Sequence, residues 1–174
     1  MLKLRNKKGF SLSELLVATL ILLMVTTVVA GGIPVAKNAY EKVTVSANSQ
    51  AILSTIISEL HARIGVADYI KVEDNKIYYQ SGTTGGQTCI YSDDTDGIMI
   101  ENFLKYGVEE GQSAVRLLSE KATPDNMYVT YDTVDWDNEH TVTFSNLIVH
   151  SELNDEQAKL DTLVIYASSI NKAP

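Results

Sequence analysis

From Leu15 to Ala36 the chain runs for 22 residues with only Thr19, Thr26, Thr27, Gly31, Gly32 and Pro34 among its apolar positions. A helix needs about 20 such residues to cross the hydrocarbon of a bilayer, so this run spans one. Gly31 and Gly32 are entropically costly in a helix and Pro34 removes a backbone bond, so a kink or a melted turn is expected near its outer end. Beyond it the pattern turns amphipathic. Ala39, Val43, Ala47, Leu53, Ile57, Leu60 and Ile64 recur at helical spacing, with Lys42, Ser46, Glu59 and Arg63 between them, and Gly65 is a natural stop. A single helix from Ser11 to Ile64 would be about 80 Å long at ~1.5 Å per residue. Its first half is apolar all round and its second half needs a partner on one side.

The rest of the chain offers that partner. Short runs rich in β-branched and aromatic residues predict strands at Ile70 to Val72, Ile77 to Gln80, Thr88 to Tyr91, Ile98 to Ile100, Val115 to Leu118, Met127 to Val134, Val142 to Val149 and Leu163 to Ala167. Turn residues punctuate them at Asp74-Asn75, Gly82 to Gly86, Asp93 to Gly97 and Asp137-Asn138. Alternation in Met127 to Tyr131 and in Thr141 to Phe144 gives each strand one face for the helix and one for water. Asn102 to Tyr106 and Asn154 to Lys159 read as short helices. The fold class is therefore α+β, a long N-terminal helix packed on a small antiparallel sheet. Four segments follow: a basic leader 1–9, a membrane-spanning helix 10–36, an amphipathic half-helix 37–64, and a β-rich head 65–174 on which that half-helix packs.

Charge sharpens this division. The net charge is −8, but Lys3, Arg5, Lys7 and Lys8 all precede Gly9, and without them ten basic residues face 22 acidic ones, a net charge of −12. Such a surface argues against nucleic acid as a partner, because phosphate binding needs clustered Lys and Arg. The same basic cluster, beside an apolar span, holds the N-terminus on the cytoplasmic side and sends the head outward. Cys89 is the only cysteine, so no internal disulfide can form.

The informative segment is Lys7-Lys8-Gly9-Phe10-Ser11-Leu12-Ser13-Glu14-Leu15-Leu16, where a carboxylate stands at the head of the apolar run. An acidic residue inside a membrane helix costs roughly 2.5–3.5 kcal/mol on insertion scales, and such residues generally have a partner and a role. A plainer reading puts Glu14 at headgroup level, where the helix dipole favours an anion. Lys-Gly-Phe-Ser-Leu-Ser-Glu followed by an apolar run resembles the class III signal of type IV prepilins and pseudopilins. The resemblance covers Lys7 to about Ala36. It implies that a prepilin peptidase cuts after Gly9 and methylates the new amine of Phe10, with Lys7 and Lys8 keeping the site at the cytoplasmic face. It further implies that Glu14, the fifth residue after the cut, attracts the N-terminal amine of a neighbouring subunit. The physics agrees, since a buried carboxylate and a buried ammonium each cost several kcal/mol alone and pairing offsets much of it. Common pilins carry proline where this chain has Gly31, with Pro34 three residues later. Ala51 to Ala62 is also similar to the second half-helix of larger minor pilins and J-type pseudopilins.

The resemblance thus implies a structural subunit, a minor pilin or pseudopilin of a type IV pilus or of a related secretion or competence pseudopilus, and not an enzyme. Its partners would be the peptidase, other pilin subunits, the cytoplasmic membrane and the assembly machinery, with an extracellular or periplasmic filament as the end state. Two competitors remain. Val28-Val29-Ala30 before Gly31 loosely fits a secretory cleavage site, although the apolar run is longer than the usual 7–15 residues. An uncleaved single-pass anchor could instead display a ligand-binding or catalytic ectodomain.

Other candidate chemistry is thin, and no cofactor or metal is expected. Ser92 to Gly97 places Asp94, Asp96 and Gly97 as a calcium loop would, but position twelve is Phe103, so only a looser acidic turn could hold calcium. His61, His140 and His150 have no metal-ligand spacing. Gly82 to Gly86 lacks the lysine of a phosphate loop. Trp136, at a strand end, either anchors a partner or covers the sheet edge.

Overall fold

The structure, a computed structural model, describes residues 11–81, 87–103, 114–119, 121, 123–151 and 154–167. It forms two compact units, Met1–Thr44 and Val45–Pro174. Helix α1, Leu12–Ile64, contributes its first part to one unit and its last part to the other.

In the first unit α1 is continuous through Gly31, Gly32 and Pro34, so the melted turn expected there is absent. A proline removes a single intrahelical bond, and the turns on either side keep theirs. Each large apolar side chain from Leu15 to Val35 is more than half exposed. That is a continuous apolar surface far larger than soluble proteins leave to water. The hydroxyls inside it face inward: Thr19 donates to the Leu16 carbonyl at 2.9 Å, Thr26 to those of Leu22 and Leu23, and Thr27 to that of Met24 at 2.8 Å. A helix that satisfies its polar atoms internally can be immersed in hydrocarbon.

In the second unit α1 buries Val45, Ser49, Ile52, Ile56, Leu60 and Ile64, with Leu53 and Ile57 half-buried beside them. This corrects the face read from the sequence: Val43 and Ala47 are exposed, and the seam is rotated onto Val45 and Ser49. Ser49 is fully buried because its hydroxyl returns to the Val45 carbonyl at 2.7 Å, leaving a small side chain against Met127. Gly65 ends the helix, where a Cβ would fall 2.6 Å from the His61 carbonyl oxygen.

Two antiparallel sheets replace the single sheet expected. The first is a meander of β1 (Tyr69–Glu73), β2 (Lys76–Gln80), β3 (Gln87–Asp93), β4 (Gly97–Phe103) and β5 (Val115–Arg116), in chain order. The second centres on β8 (Thr141–Ser151), with β9 (Asn154–Tyr166) along one side and β6 (Tyr128–Thr130) and β7 (Thr133–Trp136) end to end along the other. The Met127 to Val134 run therefore forms two strands. Both keep one register on β8, interrupted at Tyr131-Asp132 opposite Asn146, whose φ is 52° and whose amide donates to the Asp132 carboxylate at 2.7 Å.

Of the two short helices expected, Asn154 to Lys159 is strand instead, and Asn102 to Tyr106 is described only at its first two residues, which are strand. Asn102 and Phe103 end β4, and 104–106 lie outside the described residues; Asn154 to Lys159 is the start of β9, paired to β8. The Gly82 to Gly86 turn also lies outside the described residues. The two sheets and the helix share one core, in which Ile77, Ile90, Val142, Phe144, Leu147, Val149 and Ile165 are fully buried.

Asn75 ties the sheets together. At φ 60° in the β1–β2 turn, it donates from its side-chain amide to the Asp132 carbonyl and accepts from the Val134 amide, both at 2.8 Å. Its own carbonyl accepts the Tyr131 hydroxyl at 3.1 Å. Burial pushes the Tyr131 hydroxyl pKa well above the ordinary tyrosine value.

Candidate assembly site at the head of the apolar helix

Ser11 and Glu14 start α1 together. The Ser11 amide donates to the Glu14 carboxylate at 2.9 Å, and the Glu14 amide donates to the Ser11 hydroxyl at 3.3 Å. This is a capping box, in which the N-cap and N3 side chains each satisfy a backbone donor that the helix leaves open. The first intrahelical bond follows, from the Leu15 amide to the Ser11 carbonyl at 3.2 Å. Ser13 adds a hydroxyl contact to Ser11 at 2.9 Å. The carboxylate thus lies over the positive end of the helix dipole, which favours an anion. The Ser-x-x-Glu spacing is a cap signal in the sequence, and it adds to the charge of Glu14 a role in starting the helix.

The box is built from the Ser11 and Glu14 amides, and cleavage before Phe10 leaves both of them backbone amides. The structure places Glu14 at the solvent-exposed head of the apolar run; Gly9, Phe10, Lys7 and Lys8 lie outside the described residues.

The other candidates are occupied by structural duties. Asp93 accepts from the Thr95 hydroxyl at 2.7 Å and from the amides of Thr95 and Asp96, and these bonds hold its carboxyl below the ordinary carboxylate range. Asp96 pairs with Arg116 at 2.6 Å. Asp93 thus closes the β3–β4 hairpin and Asp96 ties the turn to β5, and among the described residues no group of three or more His, Cys, Asp or Glu is placed to hold a metal ion.

His150 stacks on Tyr128 at 5.0 Å and shares a 2.8 Å hydrogen bond with Thr130; His140 lies 5.4 Å from the Tyr166 ring; His61 is exposed in the last turn of α1. Trp136 is half-buried against the core at the end of β7. Cys89 is buried, and desolvation raises its thiol pKa, the setting of an inert cysteine.

The family model of the prokaryotic N-terminal methylation motif matches residues 4–30. No curated protein and no solved structure matches the chain. Among the described residues α1 is the one helix long and apolar enough to cross a membrane. The motif and this long apolar helix together fit a type IV pilin-like protein.

Proposed function

We propose that this type IV pilin-like chain is a structural subunit, a minor pilin or pseudopilin, that is stored in the cytoplasmic membrane and assembled into a filament through α1. The methylation motif supports a pilin or pseudopilin precursor, implies processing by a prepilin peptidase and assembly with other pilin subunits, and suggests a structural, non-enzymatic protein. Cleavage falls after Gly9. Phe10 becomes the methylated N-terminus, and Lys7 and Lys8 hold the site at the cytoplasmic face until then. The filament then carries the head outside the membrane, in the extracellular space or the periplasm.

One observation carries this reading: a carboxylate, Glu14, heads an exposed apolar helix within the motif, beside the position where cleavage would create an ammonium group. In the filament, neighbouring helices replace lipid around Leu15 to Ala36. Glu14 then enters a medium where a lone charge is expensive, and the Phe10 ammonium of an adjacent subunit offsets that expense. Because the pair forms only when two subunits are staggered correctly, it also sets their register.

The test is the N-terminus of the protein isolated from cells. Methylated Phe10 supports the proposal. Gly31 would mean secretory cleavage, and an intact Met1 would mean a plain anchored ectodomain.

A further inference from the structure

We infer that Lys37, Tyr40 and Lys42 form a band that sits in the outer headgroup layer of the bilayer, and that this band fixes the stored subunit at a depth where Glu14 lies in the opposite headgroup layer, outside the hydrocarbon. The inference rests on the reading of α1 as a membrane-stored helix and adds where its charged ends lie.

The first argument is length. Glu14 and Lys37 flank Leu15 to Ala36, 22 residues without a charge whose described hydroxyls all donate to helix carbonyls. At ~1.5 Å per residue the run is about 33 Å long, against about 30 Å of hydrocarbon. Pulling Glu14 inward by two turns would expose two turns of apolar helix on the far side, and pushing it outward would draw Lys37 in. Snorkelling of Lys37 covers only part of a turn, so both displacements cost free energy.

The second argument is the distribution of the band around the helix axis. Lys37 pairs with Glu41 at 3.5 Å, both well exposed, and Tyr40 is 72% exposed beside them. Lys42 is turned away from Lys37 by about 140°, at ~100° per residue. A protein partner would cover one side of the helix. A headgroup layer surrounds it, and Tyr40, Lys37, Glu41 and Lys42 spread over about 200° of its circumference at ~100° per residue, more than one side. From Lys37 to Lys42 the helix rises about 7.5 Å, close to the ~5–8 Å that the headgroup region adds on each side. Tyrosine and lysine are also the side chains that settle there, the ring at the interface and the ammonium among lipid phosphates.

The consequence concerns timing. In the stored subunit the Glu14 carboxylate, held by the Ser11 amide, is solvated by water and headgroups. It enters apolar surroundings only when the subunit is drawn out of the membrane, and only then does it need the ammonium of a neighbour.

The full chain is reconstituted in phosphatidylethanolamine and phosphatidylglycerol vesicles with Trp136→Phe as background and Trp136→Tyr as a second one. Leu16→Trp, Val25→Trp and Tyr40→Trp are then introduced singly, and fluorescence loss is compared between lipids brominated near the glycerol end and near the methyl end of the acyl chain. The inference expects Leu16→Trp and Tyr40→Trp to lose more fluorescence to the shallow bromines and Val25→Trp to the deep ones. Deep quenching of Leu16→Trp, or a Tyr40→Trp that no bromolipid quenches, overturns it. If Val25→Trp is quenched by neither lipid, the helix is not in the bilayer and the membrane-storage reading fails as well. Processing at Gly9, read separately from the mature N-terminus, is untouched by the first two outcomes.

Discussion

The Glu14 carboxylate accepts the Ser11 amide while the Ser11 hydroxyl accepts the Glu14 amide, so each residue caps the other at the first turn of α1. Ser11→Ala removes one half of this exchange. Losing an N-cap side chain costs about 1 kcal/mol. Exchange of the Glu14 amide hydrogen in detergent micelles is expected to quicken about fivefold, at 1.4 kcal/mol per factor of ten. An unchanged rate would mean that the cap does not hold the first turn.

Asn75 joins the β1–β2 turn to β7 through Asp132 and Val134, and the junction is expected to show in stability. Asn75→Gly keeps the φ of 60° accessible but loses both side-chain bonds, a cost of about 2 kcal/mol at ~1 each. Asn75→Ala adds the penalty of a left-handed backbone, for about 3 kcal/mol in all. Denaturant midpoints of the full chain in detergent should rank wild type above Gly above Ala.

Gly97 is required twice over. Its φ is +79°, and a Cβ there would lie 2.9 Å from the Val129 carbonyl oxygen, where the β3–β4 hairpin meets β6. Gly97→Ala is expected to destabilise by about 2–3 kcal/mol, because backbone must move to relieve both strains. The same midpoint measurement checks it, and a midpoint equal to wild type would contradict it.

Much of this was legible in the sequence, and the failures have physical causes. The apolar run, the turns at Asp74-Asn75 and Asp93 to Gly97, and the α+β class follow from local pattern, and local pattern survives into the structure. Asn154 to Lys159 misled because Glu156, Gln157, Ala158 and Lys159 favour helices, whereas pairing with β8, thirteen residues of strand opposite eleven, overrides that preference. The split between β6 and β7 could not be read from Met127 to Val134, since its cause, the left-handed Asn146, lies on the partner strand. The buried face of α1 was misplaced because Ala39, Val43 and Ala47 are apolar without being buried, while Ser49 is buried by bonding to its own helix. At the candidate site the motif was legible, and the Ser11 partner of Glu14 is hidden behind the charge of a carboxylate in an apolar run, although its i, i+3 spacing marks a capping box.

Asp137 gives the head an acid dependence. The Thr141 amide, followed by those of Glu139 and His140 and by the Thr141 hydroxyl, holds its pKa at about 2 against an ordinary 3.8. A folded-state pKa below the unfolded one stabilises above the unfolded value and is lost as pH falls toward the folded one. The contribution is therefore whole above pH 3.8 and vanishes as pH approaches about 2. Asp137→Asn should lower the thermal midpoint at neutral pH, and the difference from wild type should shrink across that window. A difference independent of pH would contradict the assignment.

The central claim is that Glu14 acts in assembly through its charge, and Glu14→Gln separates this from its role as a cap. Glutamine can take the N3 position of a capping box, so the first turn survives while the anion is lost. Filament yield from cells expressing wild type, Glu14→Gln and Glu14→Ala, at matched levels of processed subunit, reads the difference. The account predicts that Glu14→Gln falls with Glu14→Ala. Polymers of Glu14→Gln as abundant as wild type, with Glu14→Ala alone defective, would show that the residue serves only to begin the helix.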